Sequence, residues 1–261
     1  MTDGAEGVGL DRAVEAVVRL LAGARRVTVL TGAGVSAASG VPTFRGPDGL
    51  WRRHRPEDLA TPEAFARDPR LVWEWYDWRR QRIAACAPND AHRVLARWTG
   101  ERPGTTLVTQ NVDGLHERAG ARDVVRLHGS IWDVRCADGC PRGRGSRRLD
   151  EVPLATLPPR CPHCGGIARP DVVWFGESLD ARQLERAAEA AAACDVFLAV
   201  GTSAVVYPAA GLVVHARQAG AATIEINLDA TPMAPFLDVV VRAPAERVLA
   251  LVDAAWPSAG A

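Results

Sequence analysis

The chain has 261 residues, of which 48% are hydrophobic and 24% are charged. These proportions are typical of a soluble globular protein, either one large domain or one domain with insertions, and the chain is long enough to build a proper core. Its 31 basic residues balance its 31 acidic residues, which argues against general binding of nucleic acid.

The basic residues are all arginines, so the chain offers no lysine amine for acylation. Its first residues lack the basic start and apolar run of a secretory signal. No uncharged apolar run reaches the roughly 18 residues of a membrane span. We therefore expect a cytoplasmic protein without a membrane partner, and we expect a monomer with no specific nucleic-acid partner.

Strand-like and helical patterns alternate along the chain. A helical pattern covers residues 10–23, and RVTVLTGAG then predicts a strand that enters a glycine turn. Further strands are predicted at 105–111, 123–129, 171–176, 195–203, 221–229 and 238–243, and further helices at 111–119, 180–193, 207–219 and 244–254. Apolar strands that alternate with helices predict an α/β fold, a parallel sheet with helices on both faces.

Two segments interrupt this alternation. Residues 41–99 contain five tryptophans and helical patterns but no strand, and residues 132–170 are rich in Cys, Pro, Gly and Arg. We interpret both as insertions that form a smaller lobe beside the sheet, which is built from residues 1–40, 100–131 and 171–261. The cleft between the lobes is expected at the carboxyl ends of the strands, where α/β folds bind ligands.

The glycine turn TGAGVSAASG has the G-x-G-x-x-G/A spacing at Gly32, Gly34 and Ala37. Glycines in such a turn let backbone N–H groups approach a pyrophosphate. The pattern alone is a weak signal, because a tight turn without a ligand can look the same. The acidic residue that usually holds the ribose about 20 positions later is missing after a strand. The turn therefore favours a nucleotide ligand, but the hydride-transfer arrangement is not supported.

Four cysteines form two close pairs. Cys136 and Cys140 flank three residues, and Cys161 and Cys164 flank two. This spacing predicts a tetrahedral zinc site with four thiolate ligands. Four protein ligands leave no position for water, so we expect the zinc to be structural. The arginine-rich loop PRGRGSRR between the pairs could contact nucleic acid, but the neutral net charge favours a solvated surface.

Polar side chains follow two of the predicted strands, in TQNVDGLH and RLHGS. Gln110, Asn111, Asp113 and His128 are therefore expected at the carboxyl edge of the sheet, close to the glycine turn. Asn111 or Asp113 could instead cap the next helix. Three polar groups and a histidine exceed what capping requires, and the titration range of a histidine suits a general base. We favour catalysis by His128.

Together these motifs make the chain resemble a sirtuin, an NAD-dependent protein deacylase. GAGVSAASGVPTFRG, TQNVDGLH, LHGS, the cysteine pairs, VVWFGE, GTS and INLD occur in the sirtuin order and span nearly the whole chain. The resemblance implies a Rossmann-like NAD-binding domain with a small zinc-binding and helical lobe, which agrees with the two insertions.

The resemblance also implies roles for individual residues. It makes His128 the general base, NAD a consumed co-substrate and one zinc ion a structural cofactor. The residues expected to bind NAD are Gly32, Ala33, Gly34, Ser36, Ala37, Thr43, Phe44, Arg45, Trp51, Gln110, Asn111, Asp113, Gly201, Thr202, Ser203, Asn227, Leu228, Asp229 and Ala245. The residues expected to bind an acylated lysine of a protein or peptide are Ala60, Tyr76, Arg79, Val173, Trp174, Phe175 and Gly176.

The chemistry implied by the resemblance uses no protein nucleophile. The acyl-lysine carbonyl oxygen attacks the nicotinamide ribose and nicotinamide leaves. His128 then removes a proton from the ribose hydroxyls, so that the 2′-oxygen attacks the acyl carbon. The products would be free lysine, nicotinamide and 2′-O-acyl-ADP-ribose, in a reaction of the transferase class. VVWFGE resembles the strand that pairs with the substrate backbone.

The sequence EWYDWRR resembles the sirtuin branch that removes succinyl and malonyl groups. In that branch a Tyr-x-x-Arg pair lines the acyl channel, matched here by Tyr76 and Arg79, and the small Ala60 leaves room for a longer chain. An arginine binds a carboxylate with two hydrogen bonds, and a tyrosine adds a donor. The alternative places Tyr76 in the core and Arg79 in water, with Arg80 and Arg82 equivalent to it.

Rival functions stay open from sequence. The same NAD-binding residues fit ADP-ribosyl transfer to a protein or plain NAD hydrolysis, and a third hypothesis is a non-enzymatic NAD-sensing module. Two departures from the family pattern concern the zinc module alone. The first cysteine pair is spaced one residue wider than is common in sirtuins, and the segment between the pairs is short.

Overall fold

A parallel sheet forms the centre of the fold. The computed structural model of the chain describes residues 3–43, 55–143 and 145–256. In spatial order the sheet contains β3 (Val125–Arg126), β2 (Thr105–Thr109), β1 (Val27–Thr31), β7 (Val196–Val200), β8 (Ala222–Ile226) and β9 (Val239–Val241). The strands β1 and β7 are buried along their whole length, as expected for strands covered on both faces.

The strand order reverses between β1 and β7, because the chain builds one half of the sheet outward from β1 and then returns to its other side. Thr31 pairs with both Thr109 and Val200, so β1, β2 and β7 end at the same level. Parallel α/β sheets bind ligands outside the strand ends at such a reversal. The topology therefore places the predicted cleft beside the residues that follow these strands.

Helices cover both faces of the sheet. One hydrophobic cluster packs α1, α5 and α9 on one face, and a second packs α7 and α8 on the other. In chain order the helices are α1 (Asp3–Ala22), α2 (Pro56–Leu59), α3 (Pro62–Arg67), α4 (Pro69–Ala84), α5 (Asp90–Glu101), α6 (Leu115–Arg118), α7 (Ala181–Ala193), α8 (Gly211–Gln218) and α9 (Ala245–Ala255).

Capping residues define where the helices of the smaller lobe and its border begin. Thr61 and Asp68 accept hydrogen bonds from backbone N–H groups in the first turns of α3 and α4, and each is followed by a proline at the first helical position. Asn89 caps α5 and exchanges hydrogen bonds with His92 in a capping box. These residues satisfy N–H groups that a helix start leaves without partners.

The smaller lobe combines α2, α3 and α4 with a three-stranded antiparallel sheet. That sheet has the spatial order β5 (Arg147–Arg148), β4 (Gly129–Cys136) and β6 (Ala168–Val172). Trp73, Trp75 and Tyr76 of α4 share one hydrophobic cluster with residues of this sheet. The indole Nε1 of Trp73 donates to the carbonyl oxygen of Ala168 at 2.8 Å, which joins α4 to β6 directly.

Two predicted strands differ from those observed. The prediction of a parallel-sheet strand over residues 171–176 is wrong, because β6 ends at Val172 and pairs antiparallel with β4. The predicted strand at 123–129 is reduced to the two residues of β3. Asp123 has a positive φ of 49°, which an extended strand does not accommodate.

The division into domains stays a prediction. The buried face of α5 packs in the core cluster of the large sheet, through Ala91, Val94, Leu95 and Trp98. This packing indicates that the helical part of the smaller lobe ends with α4, before residue 99. In the described ranges no helix is long and apolar enough to cross a membrane.

Candidate active site

A cavity of about 1250 Å³ opens at the carboxyl ends of β1, β2, β7 and β8. It extends from the glycine turn to α4 and to the segment after β6. The predicted site residues that line it are Gly32, Ala33, Gly34, Ala37, Thr43, Ala60, Tyr76, Arg79, Gln110, Asn111, His128, Val173, Trp174, Phe175, Gly176, Gly201, Thr202, Ser203, Asn227, Leu228, Asp229 and Ala245. The clustering inferred from strand ends is thus present in the structure.

Two of the described residues that are predicted to bind NAD do not line the cavity. Ser36 and Asp113 are buried beneath the cavity floor, where they bond to each other. Phe44, Arg45 and Trp51 lie outside the described residues, so their predicted contacts with NAD stay predictions. The described residues of the predicted NAD and substrate sites therefore either line the cavity or, like Ser36 and Asp113, lie in a buried layer beside it.

The glycine turn approaches the end of β7 more closely than any side chain would allow. A Cβ atom on Gly32 would lie 2.7 Å from the carbonyl oxygen of Gly201, and a Cβ atom on Gly34 would lie 2.8 Å from the Cα of Gly201. The N–H groups of Gly32 and Gly34 donate to Val200 and Gly201 within the fold. These glycines therefore contribute close backbone approach at the sheet reversal. A 3₁₀-helix, Ala33–Ser39, begins directly after Gly32 and contains Gly34.

A hydrogen-bonded network lies beneath the cavity and centres on the hydroxyl of Ser36. This hydroxyl donates to a carboxylate oxygen of Asp113 at 2.8 Å and accepts from the side-chain amide of Asn111 at 3.2 Å. His92 accepts from the N–H of Asn89 at Nδ1, so its Nε2–H donates to Ser36 at 3.3 Å. The network fixes Asn111, whose amide also donates to the carbonyl oxygen of Gly32 at 3.0 Å.

Burial controls the protonation of this network. Burial raises the pKa of the Asp113 carboxyl, against hydrogen bonds from Leu115 and Ser36 that lower it. Burial disfavours the charged form of a histidine as well, and it lowers the pKa of His92 to about 3 and that of His116 to about 4. Both imidazoles are therefore neutral at physiological pH.

His128 has the tautomer that a general base requires. Its Nδ1 lies 2.9 Å from the carbonyl oxygen of Gln110, which can only accept, so Nδ1 carries the hydrogen and Nε2 keeps its lone pair. The ring lines the cavity. Burial lowers the pKa of His128, and the bond to Gln110 opposes this only in part. The ring is thus ready to accept a proton at neutral pH.

Tyr76 and Arg79 are buried at the α4 end of the cavity, with 3% and 6% of their surfaces exposed. The guanidinium carbon of Arg79 lies 4.8 Å from the ring centre of Trp75 and 5.8 Å from that of Tyr76. The alternative that leaves Arg79 in water is therefore wrong. Burial lowers the pKa of Arg79, with opposing contributions from Tyr76 and Asp113, but an arginine stays protonated.

The neighbouring arginines of α4 are not equivalent to Arg79. Arg80 is fully buried and donates to the carbonyl oxygens of Ile131, Leu149 and Glu151, which ties α4 to the zinc-binding segment. Arg82 is exposed and lies over the ring of Trp78. Of these three arginines, Arg79 alone lines the cavity.

The segment after β6 lines the cavity, but most of its N–H groups are already used. Val173 donates to the carbonyl oxygen of His128 at 3.0 Å, and Phe175 donates to that of Ala60 at 3.0 Å. The N–H of Trp174 donates to the carboxylate of Glu177 at 2.9 Å. The N–H groups of Val173, Trp174 and Phe175 are therefore already bonded within the fold, and the predicted pairing of this segment with a substrate backbone would have to use other backbone groups.

The opposite end of the cavity has the features of a nucleoside site. The side chain of Gln110 donates to Thr202 at 2.9 Å, and that of Asn227 donates to the carbonyl oxygen of Thr202 at 3.1 Å. The carboxylates of Asp229 and Glu246 line this end. An acidic group beside a nucleotide site suits ribose hydroxyls. Asp229 and Glu246 both follow strands of the other half of the sheet.

The four predicted zinc ligands converge in the smaller lobe. The sulfur atoms of Cys136, Cys140, Cys161 and Cys164 all lie within 4.8 Å of one another, as expected around a tetrahedral ion with zinc–sulfur bonds of about 2.3 Å. A Cβ atom on Gly143 would lie 2.7 Å and 2.8 Å from two of these sulfurs. The donor set and this close cradle fit one structural zinc ion.

Sequence reasoning predicted Ser36 and Asp113 of the buried layer but missed its two histidines. The rings of His92 and His116 lie 4.9 Å apart between centres, with their planes tilted by 55°, and His116 bonds to the hydroxyl of Thr31. His92 occupies the buried face of the amphipathic helix α5, which was the available signal. Glu246 and Trp75 also line the cavity, and each directly adjoins a predicted residue in sequence.

Comparisons with known proteins agree with this geometry. The model of the Sir2 family matches residues 32–208. The "NAD-dependent protein deacylase" of Aquifex aeolicus (strain VF5) is 54% identical over 82% of this chain and 87% of its own length. The solved structure of a Sir2 homolog–NAD complex is 47% identical, with a TM-score of 0.85 over 92% of this chain and 93% of that one.

A more distant solved structure extends the likeness. The complex titled "Sir2-p53 peptide-NAD+" is 28% identical, with a TM-score of 0.79 over 91% of this chain and 95% of that one. The family model covers more than half of the chain. The chain therefore belongs to the Sir2 family, the sirtuins, as its motifs predicted.

Proposed function

We propose that this chain is an NAD-dependent protein-lysine deacylase that prefers succinyl and malonyl groups and retains some deacetylase activity. The single observation that carries the acyl preference is the buried, protonated guanidinium of Arg79 lining the cavity beside the Tyr76 hydroxyl. A cation with little access to water favours an anion that enters the same space. Succinyl and malonyl groups end in a carboxylate, and an acetyl group does not.

The catalytic part of the proposal is supported by His128 and the groups that hold it. NAD, when bound, supplies an electrophilic ribose carbon and the nicotinamide leaving group. Nε2 of His128 accepts a proton from a ribose hydroxyl, because Nδ1 is held by the carbonyl oxygen of Gln110. Asn111 is oriented by Ser36 and Gly32. The other products would be free lysine and 2′-O-acyl-ADP-ribose.

The zinc ion is proposed to act only in folding. Its four cysteine ligands lie in the smaller lobe and are not part of the cavity lining. When bound, it supplies four bonds that close the β4–β6 segment. The reaction of the substrate carbonyl and the proton transfers then depend on residues that line the cavity.

The test of the acyl preference compares Arg79→Met with Arg82→Met on succinyl-lysine and acetyl-lysine forms of one peptide. Hydrogen bonds to a charged group contribute roughly 1.5–3 kcal/mol. We therefore expect kcat/KM for the succinyl peptide to fall about 10- to 100-fold in Arg79→Met. Activity on the acetyl peptide should persist, and the exposed Arg82→Met should match the wild type.

Equal losses on both peptides would make Arg79 a structural residue and overturn the preference. Mass spectrometry of the products separates the rival functions in the same assay. O-acyl-ADP-ribose identifies deacylation, free ADP-ribose identifies NAD hydrolysis, and an ADP-ribosylated protein identifies transfer. Binding of NAD without release of nicotinamide would support the non-enzymatic hypothesis.

A further inference from the structure

Trp174 and Tyr76 form one hydrogen bond deep in the acyl end of the cavity. The indole Nε1 of Trp174 donates to the phenolic oxygen of Tyr76 at 2.9 Å, and each residue is 3% exposed. The two residues are 98 positions apart in sequence, one on α4 and one on the segment after β6. The bond therefore depends on how the lobe is assembled.

This bond restricts where the hydroxyl hydrogen of Tyr76 can point. An indole N–H is only a donor, so it occupies a lone pair of the phenolic oxygen and repels the phenolic hydrogen. The nearby guanidinium of Arg79 is also only a donor. Within the described ranges, Trp174 is the one hydrogen-bond partner of the Tyr76 hydroxyl. Its hydrogen is thus left for an acceptor that enters the cavity.

The indole of Trp174 is itself held on two sides. The guanidinium carbon of Arg169 lies 3.5 Å from the centre of its ring. Arg169 is fixed in turn by two hydrogen bonds to Glu177, at 2.6 Å and 2.8 Å. Glu177 also accepts from the backbone N–H of Trp174 at 2.9 Å. Side chain and backbone of Trp174 are therefore clamped by the same ion pair.

The ion pair stays charged around neutral pH. Burial alone would raise the pKa of the Glu177 carboxyl, but hydrogen bonds from Arg169 and from the Trp174 N–H outweigh burial and hold the pKa below its ordinary value. Protonating Glu177 would require a pH far below neutral. The clamp on Trp174 is therefore a constant feature of the folded protein.

We propose that Trp174 is a positioning residue for acyl selectivity, which aims the Tyr76 hydroxyl hydrogen at the carboxylate of the acyl group. Trp174 acts through Tyr76. Without its N–H, the hydroxyl hydrogen of Tyr76 could occupy either of two positions in the plane of the phenol ring, and the N–H of Trp174 disfavours one of them. This rests on the proposed preference for acidic acyl groups. It adds a residue outside the Tyr-x-x-Arg pair on which that preference depends.

The experiment is a double-mutant cycle with Trp174→Phe, Tyr76→Phe and the double variant. Phenylalanine keeps an aromatic ring against Phe65 and Arg169 and removes the indole N–H donor together with the second ring of the indole. We expect Trp174→Phe to raise KM for succinyl-lysine peptide about 3- to 10-fold. The ratio of kcat/KM for the succinyl-lysine peptide to kcat/KM for the acetyl-lysine peptide should fall with it, because an acetyl group offers no carboxylate to the Tyr76 hydroxyl. The double variant should match Tyr76→Phe.

Trp73→Phe is the matched control. It also removes a buried indole N–H donor, the one that bonds to Ala168, but not one that reaches Tyr76. We expect it to lower the melting temperature without a change in the ratio of succinyl to acetyl activity. A comparable change in that ratio for Trp73→Phe would assign the Trp174 effect to general loosening of the lobe and overturn the proposal.

The outcomes separate this proposal from the proposed function. Additive effects of Trp174→Phe and Tyr76→Phe, or equal effects of Trp174→Phe on both peptides, overturn the positioning role while the Arg79→Met result stands. If Arg79→Met leaves succinyl selectivity unchanged, the acidic-acyl preference is refuted and the positioning role with it. A KM increase that is larger for the succinyl peptide than for the acetyl peptide, and that is absent from the Tyr76→Phe background, supports both.

Discussion

Replacing His116 by glutamine should weaken the dependence of stability on pH. His116 is 1% exposed, and its Nε2 lies 3.0 Å from the hydroxyl of Thr31. Its Nδ1 is buried and has no hydrogen-bond partner within the described part of the chain. Burial lowers the pKa of the ring from 6.5 to about 4, so the folded protein resists a proton that the unfolded chain accepts.

The sign and size of the effect follow from proton linkage. Between pH 6.5 and pH 4 the unfolded chain binds a proton at His116 and the folded protein does not. Stability from this residue is therefore present above pH 6.5 and is lost as the pH falls. Between pH 7.5 and pH 5, the free energy of unfolding should fall by about 2 kcal/mol on account of His116 alone.

Urea unfolding at pH 7.5 and pH 5, followed by far-ultraviolet circular dichroism, measures this difference. Over this interval, the free energy of unfolding should fall about 2 kcal/mol less for His116→Gln than for the wild type. His215 is exposed and serves as the control, so His215→Gln should follow the wild type. Parallel pH dependence of His116→Gln and the wild type would refute a buried, neutral imidazole at this position.

Two further predictions concern the zinc site and the general base. Gly143→Ala places a Cβ atom against two cysteine sulfurs. Zinc affinity, measured in competition with a chromogenic chelator, should therefore fall about 10-fold or more. Gly145 has open space around it, so Gly145→Ala should retain the wild-type affinity. Because burial lowers the pKa of His128 from 6.5, the acidic limb of kcat/KM should lie below pH 6.5, and His128→Tyr should bind zinc but lack turnover.

Each of these predictions has an outcome that contradicts it. Equal zinc affinities of the two alanine variants would mean that the loop at Gly143 moves freely away from the sulfurs. An acidic limb above pH 6.5, or turnover by His128→Tyr, would remove His128 from the proton transfer.

The sequence could predict the parts of the site that depend on short segments. The cysteine pairs determine their own ligand set, and the prediction of four converging thiols is confirmed by the sulfur positions. Gln110, Asn111 and His128 follow strands, and parallel strands present their ends at one edge, so the clustering could be inferred without knowing the strand order.

Contacts between distant segments could not be predicted in the same way. The bond between His92 and Ser36 joins residues 56 positions apart, and the bond between Trp174 and Tyr76 joins residues 98 apart. The wrong assignment of residues 171–176 has a related cause. Apolar β-branched residues favour a strand in either sheet, and the partner that selects the sheet is β4, over 30 positions earlier.

Consecutive positions of α4 face different parts of the molecule. Arg79 lines the cavity, whereas Arg80 bonds to three backbone carbonyl oxygens of the zinc-binding segment. A substitution at residue 79 leaves those three bonds in place. Acyl preference could therefore diverge during evolution, or be redesigned, through single changes on one side of this helix while the scaffold is inherited intact.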